Sequence, residues 1–338
     1  MFLKLKKGTT EEGIKHIIDK IKELGFEAHL SRGANSTIIG IIGENVLKTK
    51  DIFESMFMVE SCTPISKPYK LVSKEFNDKK VVIKLSHNVE IGNKKIAVIA
   101  GPCSIDNIDY LYETASSVKQ CGATLLRGGA FKPRTSPYSF QGLGLEGLKM
   151  LKKVGDDCKM PIVTEAMNLE QAKLIADYAD IIQVGARNSQ NFDLLKELGK
   201  IGRPVLLKRG IAMTISEFLM SAEYIASKGN YNIILCERGI RTFETSTRFT
   251  LDLNAVPVLN SLTNLPVIVD PSHGTGVRSY VMPMSRASIA AGADGLIVEV
   301  HPKPECALSD GSQTLYADKF NEYMSEVKKI ALAMDREI

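Results

Sequence analysis

The chain has 338 residues, an ordinary share of hydrophobic residues (44%) and a net charge of only +4, with Lys and Arg scattered along it. That balance argues against nucleic acid and against a charged membrane surface as partners, and no apolar run approaches the ~18 residues of a membrane span. The opening stretch lacks the apolar core of a signal peptide, and the six cysteines form no CxxC pair. A reduced, cytoplasmic protein is expected.

The first 66 residues carry their own pattern. Phe2–Leu5 reads as a strand. Thr9–Leu24 reads as a helix, with Thr9 as N-cap, Glu12 at the capping-box position, and Ile14, Ile17, Ile18, Ile21 and Leu24 on one face. Gly25 ends it. Glu27–Ser31 and Ser36–Ile42 read as strands of a hairpin turning at Gly33–Asn35. Thr49–Phe57 reads as a short helix and Val59–Ile65 as a last strand. The order β-α-β-β-α-β is that of a small ferredoxin-like domain, here residues 1–66. Residues 67–95 read as a connector, stiffened at its start by Pro64 and Pro68. Within it, Val81–Leu85 and Val89–Ile91 are suited to a hairpin that plugs the bottom of whatever follows.

Eight short apolar runs then succeed one another over residues 96–338: Ile96–Ala100, Thr124–Arg127, Pro161–Glu165, Ile181–Val184, Val205–Lys208, Ile233–Cys236, Val267–Asp270 and Leu296–Val300. Amphipathic stretches of helical length separate most of them. Eight strand–helix alternations is the count of a (β/α)8 TIM barrel, whose catalytic face lies where the strands end.

Two constellations fall on that face. The first is cationic: Arg127 and Lys132 at and after the second strand, Arg187 after the fourth, Lys208 and Arg209 ending the fifth, Arg238 after the sixth. Converging cations are costly without an anion, and Arg presents a planar fork to phosphate or carboxylate. A small polyanion is the natural ligand. The competing explanation is structural pairing with Glu165, Glu237 or Glu244, which is a poor joint explanation for cations gathered at four separate strand ends. The second constellation is metal-like: Cys103 after the first strand, His273 after the seventh, Glu299 at the end of the eighth and Asp310 in the loop beyond. The first, seventh and eighth strands are neighbours once a barrel closes. A Cys, His, Glu and Asp together suit a divalent Mn, Fe, Zn or Co ion and are poor for Ca²⁺.

The other cysteines have blander readings. Cys121, Cys158 and Cys236 are expected to pack inside helices or strands, and Cys306 is not counted as a ligand. His16, His29 and His87 fall outside the catalytic face, and the role of His301 stays open.

Gly101-Pro102-Cys103-Ser104, Leu126-Arg127-Gly128-Gly129, Lys132-Pro133-Arg134-Thr135-Ser136, Gly185-Ala186-Arg187-Asn188, Leu207-Lys208-Arg209-Gly210, Glu237-Arg238-Gly239-Ile240-Arg241 and Asp270-Pro271-Ser272-His273 occur in one order. With these motifs the chain resembles the 3-deoxy-D-arabino-heptulosonate 7-phosphate (DAHP) synthases, type I beta group, over about residues 85–338. The resemblance implies that phosphoenolpyruvate condenses with erythrose 4-phosphate and water, the first step of the shikimate pathway. It implies Cys103, His273, Glu299 and Asp310 as metal ligands. It places Arg127, Lys132, Ala186, Arg187, Lys208 and Arg238 on phosphoenolpyruvate, and Pro133, Arg134 and Thr135 on erythrose 4-phosphate. Lys132 is the implied acid–base group, and Glu165, at the end of the third strand, is the candidate for activating water. The N-terminal unit resembles a regulatory domain that takes tyrosine or phenylalanine, in enzymes that form homotetramers. Two alternatives stand beside this: the sister 3-deoxy-D-manno-octulosonate 8-phosphate synthases, whose loop reads like KANR where this chain has Lys132–Thr135, and a non-catalytic amino-acid sensor built on the same barrel.

Overall fold

The computed structural model describes every residue except 33–36, 64–67 and 135. The expected turn at Gly33–Asn35, Ser36, the residues Pro64 and Ile65, and Thr135 therefore lie outside the described residues. The chain forms two compact units, Met1–Lys79 with Leu262–Asn264, and Lys80–Ser261 with Leu265–Ile338.

The first unit contains β1 (Phe2–Leu5), α1 (Glu11–Glu23), β2 (Glu27–Arg32), β3 (Thr37–Ile42), α2 (Lys50–Glu54) and β4 (Val59–Thr63). Its sheet has the order β2-β3-β1-β4, antiparallel throughout. Alternation sends Leu3, Leu5, Ile39 and Ile41 to one face, where Ile14, Ile17 and Ile21 of α1 and Phe53 of α2 complete a core. Two details differ from the sequence reading. The N-cap is Thr10, which accepts from Gly13 N–H at 3.2 Å, because the Thr9 hydroxyl is spent on the Lys6 carbonyl at 2.7 Å. That register puts Gly13 at the third helical position, so the reciprocal bond expected from Glu12 cannot form. The second helix is also shorter than Thr49–Phe57. It is entered through a 3₁₀ turn at Val46–Thr49 and stops at Ser55, whose hydroxyl bonds back to Ile52 O at 2.7 Å.

The second unit opens with a hairpin, β5 (Ile83–Lys84) and β6 (Glu90–Ile91). Eight parallel strands follow: β7 (Ala97–Gly101), β8 (Leu125–Arg127), β9 (Ile162–Ala166), β10 (Ile181–Val184), β11 (Val205–Lys208), β12 (Ile233–Glu237), β13 (Val267–Val269) and β14 (Gly295–His301). They pair in sequence order, β14 pairs with both β7 and β13, and the barrel is closed. Helices surround it: α3 (Ile108–Gln120), α4 (Leu145–Asp157), α5 (Leu169–Ala176), α6 (Phe192–Ile201), α7 (Ile215–Ala226), α8 (Ala255–Leu262), α10 (Arg278–Ala290) and α11 (Phe320–Ala333). A one-turn α9 (Pro271–Thr275) follows β13, and a short β15 (Leu315–Tyr316) adds to β14. Among the described residues no helix is long and apolar enough to cross a membrane.

The two-residue period of the strands positions the site. Ala97, Ile99, Leu125, Val163, Ile181, Leu206, Ile234, Ile268 and Ile297 form one apolar cluster in the barrel, joined by Ile83 and Ile91 of the hairpin. Each fully buried Val, Leu or Ile among them contributes about 1.5–3 kcal/mol. Two residues further along several of the same strands stand Arg127, Glu165, Gln183, Lys208, Asp270 and Glu299, all buried. The lower interior is thus hydrocarbon sealed by a hairpin, and the upper interior is charged.

Candidate active site at the barrel mouth

Cys103, His273, Glu299 and Asp310 converge, each offering one ligand atom within 4.8 Å of the others. Cys103 follows β7. Ahead of it, Gly101 has a φ of +154°, and a Cβ there would lie 2.0 Å from the Arg127 carbonyl oxygen, so only glycine lets the two strand ends approach. His273 sits on α9, which Asp270 caps by accepting from His273 N–H at 2.9 Å. The same carboxylate holds His273 Nδ1 at 2.8 Å, and that leaves Nε2 facing Glu299 Oε1 at 3.2 Å. A ring fixed through its far nitrogen by a carboxylate is a typical metal-ligating histidine. Asp310 has a φ of +51°, an uncommon backbone state that turns its Oδ2 to within 3.0 Å of Cys103 Sγ.

The electrostatics match such a site. Burial pushes the Cys103 thiol up to about 12, and Glu299 adds to the rise against Lys132 and Arg127. A divalent cation reverses that balance by ligating the thiolate. Burial also works against the Asp310 charge, but His273, the Cys103 thiol and Arg248 hold its carboxyl below the usual range. Asp270 is held well below it too, where the proximity of His273 and Lys208 outweighs burial. One sulfur, one nitrogen and two oxygens fit Mn, Fe, Zn or Co.

Beside this cluster lies a cavity of about 330 Å³. Arg127, Lys132, Pro133, Arg134, Ala186, Arg187, Lys208, Arg238 and Glu165, all expected site residues, line it. The cations fall into two kinds. Arg127 pairs with Glu299 at 2.9 Å, and Lys208 pairs with Asp270. Among the described residues, Lys132, Arg134, Arg187 and Arg238 have no carboxylate within ion-pair distance. Lys132 Nζ donates to the Cys103 carbonyl at 2.9 Å and lies 3.0 Å from its sulfur. Arg238 is buried and stacks 4.1 Å from the Phe249 ring centre, and burial pulls its pKa below the usual range. A desolvated cation without a counter-charge is a receptor for an anion. Glu165 accepts from Gln183 Nε2 at 2.9 Å through Oε2, and its buried Oε1 has no hydrogen-bond partner among the described residues. Gly185 leaves that carboxylate its room, since a Cβ there would lie 2.1 Å from this oxygen and the Glu165 side chain would have to move.

Other expectations need correction. Arg209 does not join the mouth. It follows Lys208 and so points away, into ion pairs with Glu237 at 2.9 Å and Asp252 at 2.8 Å. Among the described residues Glu244 pairs with no cation and is spent on Thr245 and Ser246 N–H groups. Of the three cysteines expected inside elements only Cys236 is buried, while Cys121 and Cys158 terminate helices and are half-buried. Cys306 is exposed and outside the ligand cluster. His301 is buried, its Nε2 3.3 Å from Asp106. Four residues were overlooked: Gln183, Asp270, Arg248 and Gln313. The inward phase set by Ile181 and Ile268 points to the first two. Nothing periodic marks the last two, which lie in loops.

The sequence model of the "DAHP synthetase I family" matches residues 80–336, and that of the "DAHP synthase ferredoxin-like domain" matches residues 1–67. The chain is 53% identical to a phospho-2-dehydro-3-deoxyheptonate aldolase of Thermotoga maritima over 334 residues, covering 99% of this chain and 98% of that protein. It is 34% identical to a 2-dehydro-3-deoxyphosphooctonate aldolase of Syntrophotalea carbinolica over 257 residues, covering 71% of this chain and 92% of the other. The crystal structure of the Thermotoga maritima aldolase (DAHP synthase) superposes with a TM-score of 0.80 at 52% identity, covering 99% and 98% of the two chains. A truncated form of the synthase from that organism superposes at 0.75 with 51% identity, covering 80% of this chain and 98% of its own.

Proposed function

The chain belongs to the DAHP synthetase I family, and on that premise we propose that it condenses phosphoenolpyruvate with D-erythrose 4-phosphate and water to DAHP and phosphate. The observation that carries this is the pairing of a four-donor metal cluster with an adjacent cavity in which Lys132, Arg134, Arg187 and Arg238 have no carboxylate partner among the described residues. C3 of phosphoenolpyruvate attacks the aldehyde carbon, water adds at C2, and the C–O bond to phosphate breaks.

Lys132, Arg187, Lys208 and Arg238, with Arg127, hold the phosphate and carboxylate of phosphoenolpyruvate. Arg134, beside Pro133 and Thr135, holds the phosphate of the aldose. Cations from separate strand ends bring two anionic substrates into reacting distance, which neither would reach in water. A divalent ion on Cys103, His273, Glu299 and Asp310 supplies Lewis acidity toward the aldehyde oxygen. Lys132 stands between the cavity and the cluster and serves as the acid for the new alkoxide. Glu165, through its unpaired Oε1, accepts a proton from the water that adds at C2.

The octulosonate reading is weaker, because relatives of that kind match only about the barrel's share of the chain. The sensor reading is weaker because the four metal donors and, Arg209 apart, the expected cations among the described residues are present at the mouth. Purified enzyme supplied with phosphoenolpyruvate and either erythrose 4-phosphate or arabinose 5-phosphate decides between them. Turnover of erythrose 4-phosphate is expected, and equal or faster use of arabinose 5-phosphate overturns the reading.

The N-terminal unit has a core of its own and no cluster of donors among its described residues. It is read as a feedback domain for tyrosine or phenylalanine in a cytoplasmic homotetramer. Removal of residues 1–66 is expected to leave an active barrel that no longer responds to either amino acid. Undiminished inhibition of the truncated enzyme moves the regulatory site elsewhere.

A further inference from the structure

Each carboxylate of the donor cluster has its outer oxygen, the one turned away from the other donors, held by a side chain outside the cluster. Glu299 Oε2 accepts from Gln313 Nε2 at 2.6 Å, while its Oε1 faces His273 Nε2 at 3.2 Å and Arg127 at 2.9 Å. Asp310 Oδ1 accepts from Arg248 Nη1 at 3.2 Å, while its Oδ2 meets Cys103 Sγ at 3.0 Å and lies 3.9 Å from His273 Nε2. The two outer contacts form one network, because Arg248 Nη1 also donates to Gln313 Oε1 at 3.2 Å.

The network has only one workable polarity. Gln313 is 2% exposed, so an unmet amide group there would carry a desolvation cost. The guanidinium can only donate and the ionised carboxylate can only accept. Gln313 must therefore turn its oxygen to Arg248 and its nitrogen to Glu299. Arg248 is itself anchored. Its backbone N–H donates to Thr275 O at 2.9 Å, which registers the loop between β12 and α8 against α9, the element that carries His273. Elements from three parts of the chain thus meet at one amide.

Resting on the metal reading of the cluster, we propose that Arg248 and Gln313 act as one positioning pair that limits Glu299 and Asp310 to a single ligand oxygen each. Four one-atom ligands suit a small, borderline ion. A carboxylate released at its outer oxygen can bind through both, as larger and harder cations such as Ca²⁺ prefer.

The test titrates metal-free enzyme with Co²⁺ alone and then Ca²⁺ alone, without substrate. The readouts are the Cys103 thiolate-to-cobalt absorption, the cobalt ligand-field bands and the dissociation constant from chelator competition. Gln313→Met, which keeps the volume and removes both hydrogen bonds, is expected to weaken Co²⁺ binding by about 10–100-fold. It should also weaken the ligand-field bands toward those of a higher coordination number and narrow the gap between Co²⁺ and Ca²⁺. Arg248→Lys should move all three readouts in the same direction. The double variant should lose less than the sum of the two single losses, because Arg248 and Gln313 are bonded to each other while each also holds its own carboxylate. Unchanged affinity and bands in Gln313→Met overturn the proposal, as does a fully additive loss in the double variant. If Gln313→Met does not fold, Arg248→Lys decides alone, and an unchanged cobalt constant there overturns it. A parent enzyme that binds no Co²⁺ fails differently: it overturns the metal reading and this pair with it.

Discussion

The lower and upper layers of the barrel interior come from the same strands and the same alternation, yet they solve opposite problems. Below, Ile99, Leu125, Val163, Ile181, Leu206 and Ile297 bury hydrocarbon against the hairpin residues Ile83 and Ile91. Two residues further along, the interior holds Arg127, Glu165, Lys208, Asp270 and Glu299 at 9% exposure or less. Burial stabilises the first layer directly. In the second, every charge is costly unless paired. Arg127–Glu299 and Lys208–Asp270 are paired. Lys132 and Arg238, equally buried, have no carboxylate partner among the described residues. The comparison teaches that stability and function are separated by one step of the strand period, and that the functional layer is incompletely neutralised on the side where an anionic substrate would enter.

The charged layer is most sensitive at the metal cluster. A chelator is expected to abolish activity and Mn²⁺ to restore it. Cys103→Ala should lose both metal and activity while circular dichroism reports an intact fold, and full turnover by metal-free enzyme would contradict the assignment. Next comes the contrast between a paired and an unpaired cation. Lys208→Ala leaves Asp270 short of a buried partner and should cost about 3–5 kcal/mol of stability as well as activity. Arg187→Ala, at an exposed position, should lower kcat/KM for phosphoenolpyruvate about ten- to a hundredfold, from charge-assisted bonds worth roughly 1.5–3 kcal/mol. Its melting temperature should not move. Equal stability losses in the two variants would erase the distinction. The smallest effect on turnover is expected in the lower layer. Ile91→Ala should cost about 2–5 kcal/mol in denaturant unfolding and leave kcat/KM near that of the parent at 25 °C. A large kinetic defect there would show that the two layers are coupled.

Much of the site was legible because strand ends are local features. The runs ending at Val184 and Lys208 coincide with β10 and β11, and a closed eight-stranded order then forces Cys103, His273 and Glu299 onto neighbouring elements. Gln183 and Asp270 were equally legible, since each lies two residues past an inward isoleucine, but polar residues inside a strand are easily read as mere boundaries. Arg209 was misjudged because composition cannot tell it from Lys208. The alternation that turns one inward turns the other out, toward Glu237 and Asp252. The N-cap of α1 slipped by one residue because two adjacent threonines compete, and the choice between them rests on which hydroxyl the preceding turn consumes.

The strand count and most of the residue types that reach the mouth follow from the chain alone, because hydrophobic periodicity is written in neighbours a few residues apart. Only the tertiary structure decided which charges neutralise one another and which stay open to a substrate. The contact between Arg248 and Gln313 spans 65 positions, and that between Arg127 and Glu299 spans 172. Such pairs depend on distances of about 3 Å set by the packing of several elements at once, and no local pattern encodes them.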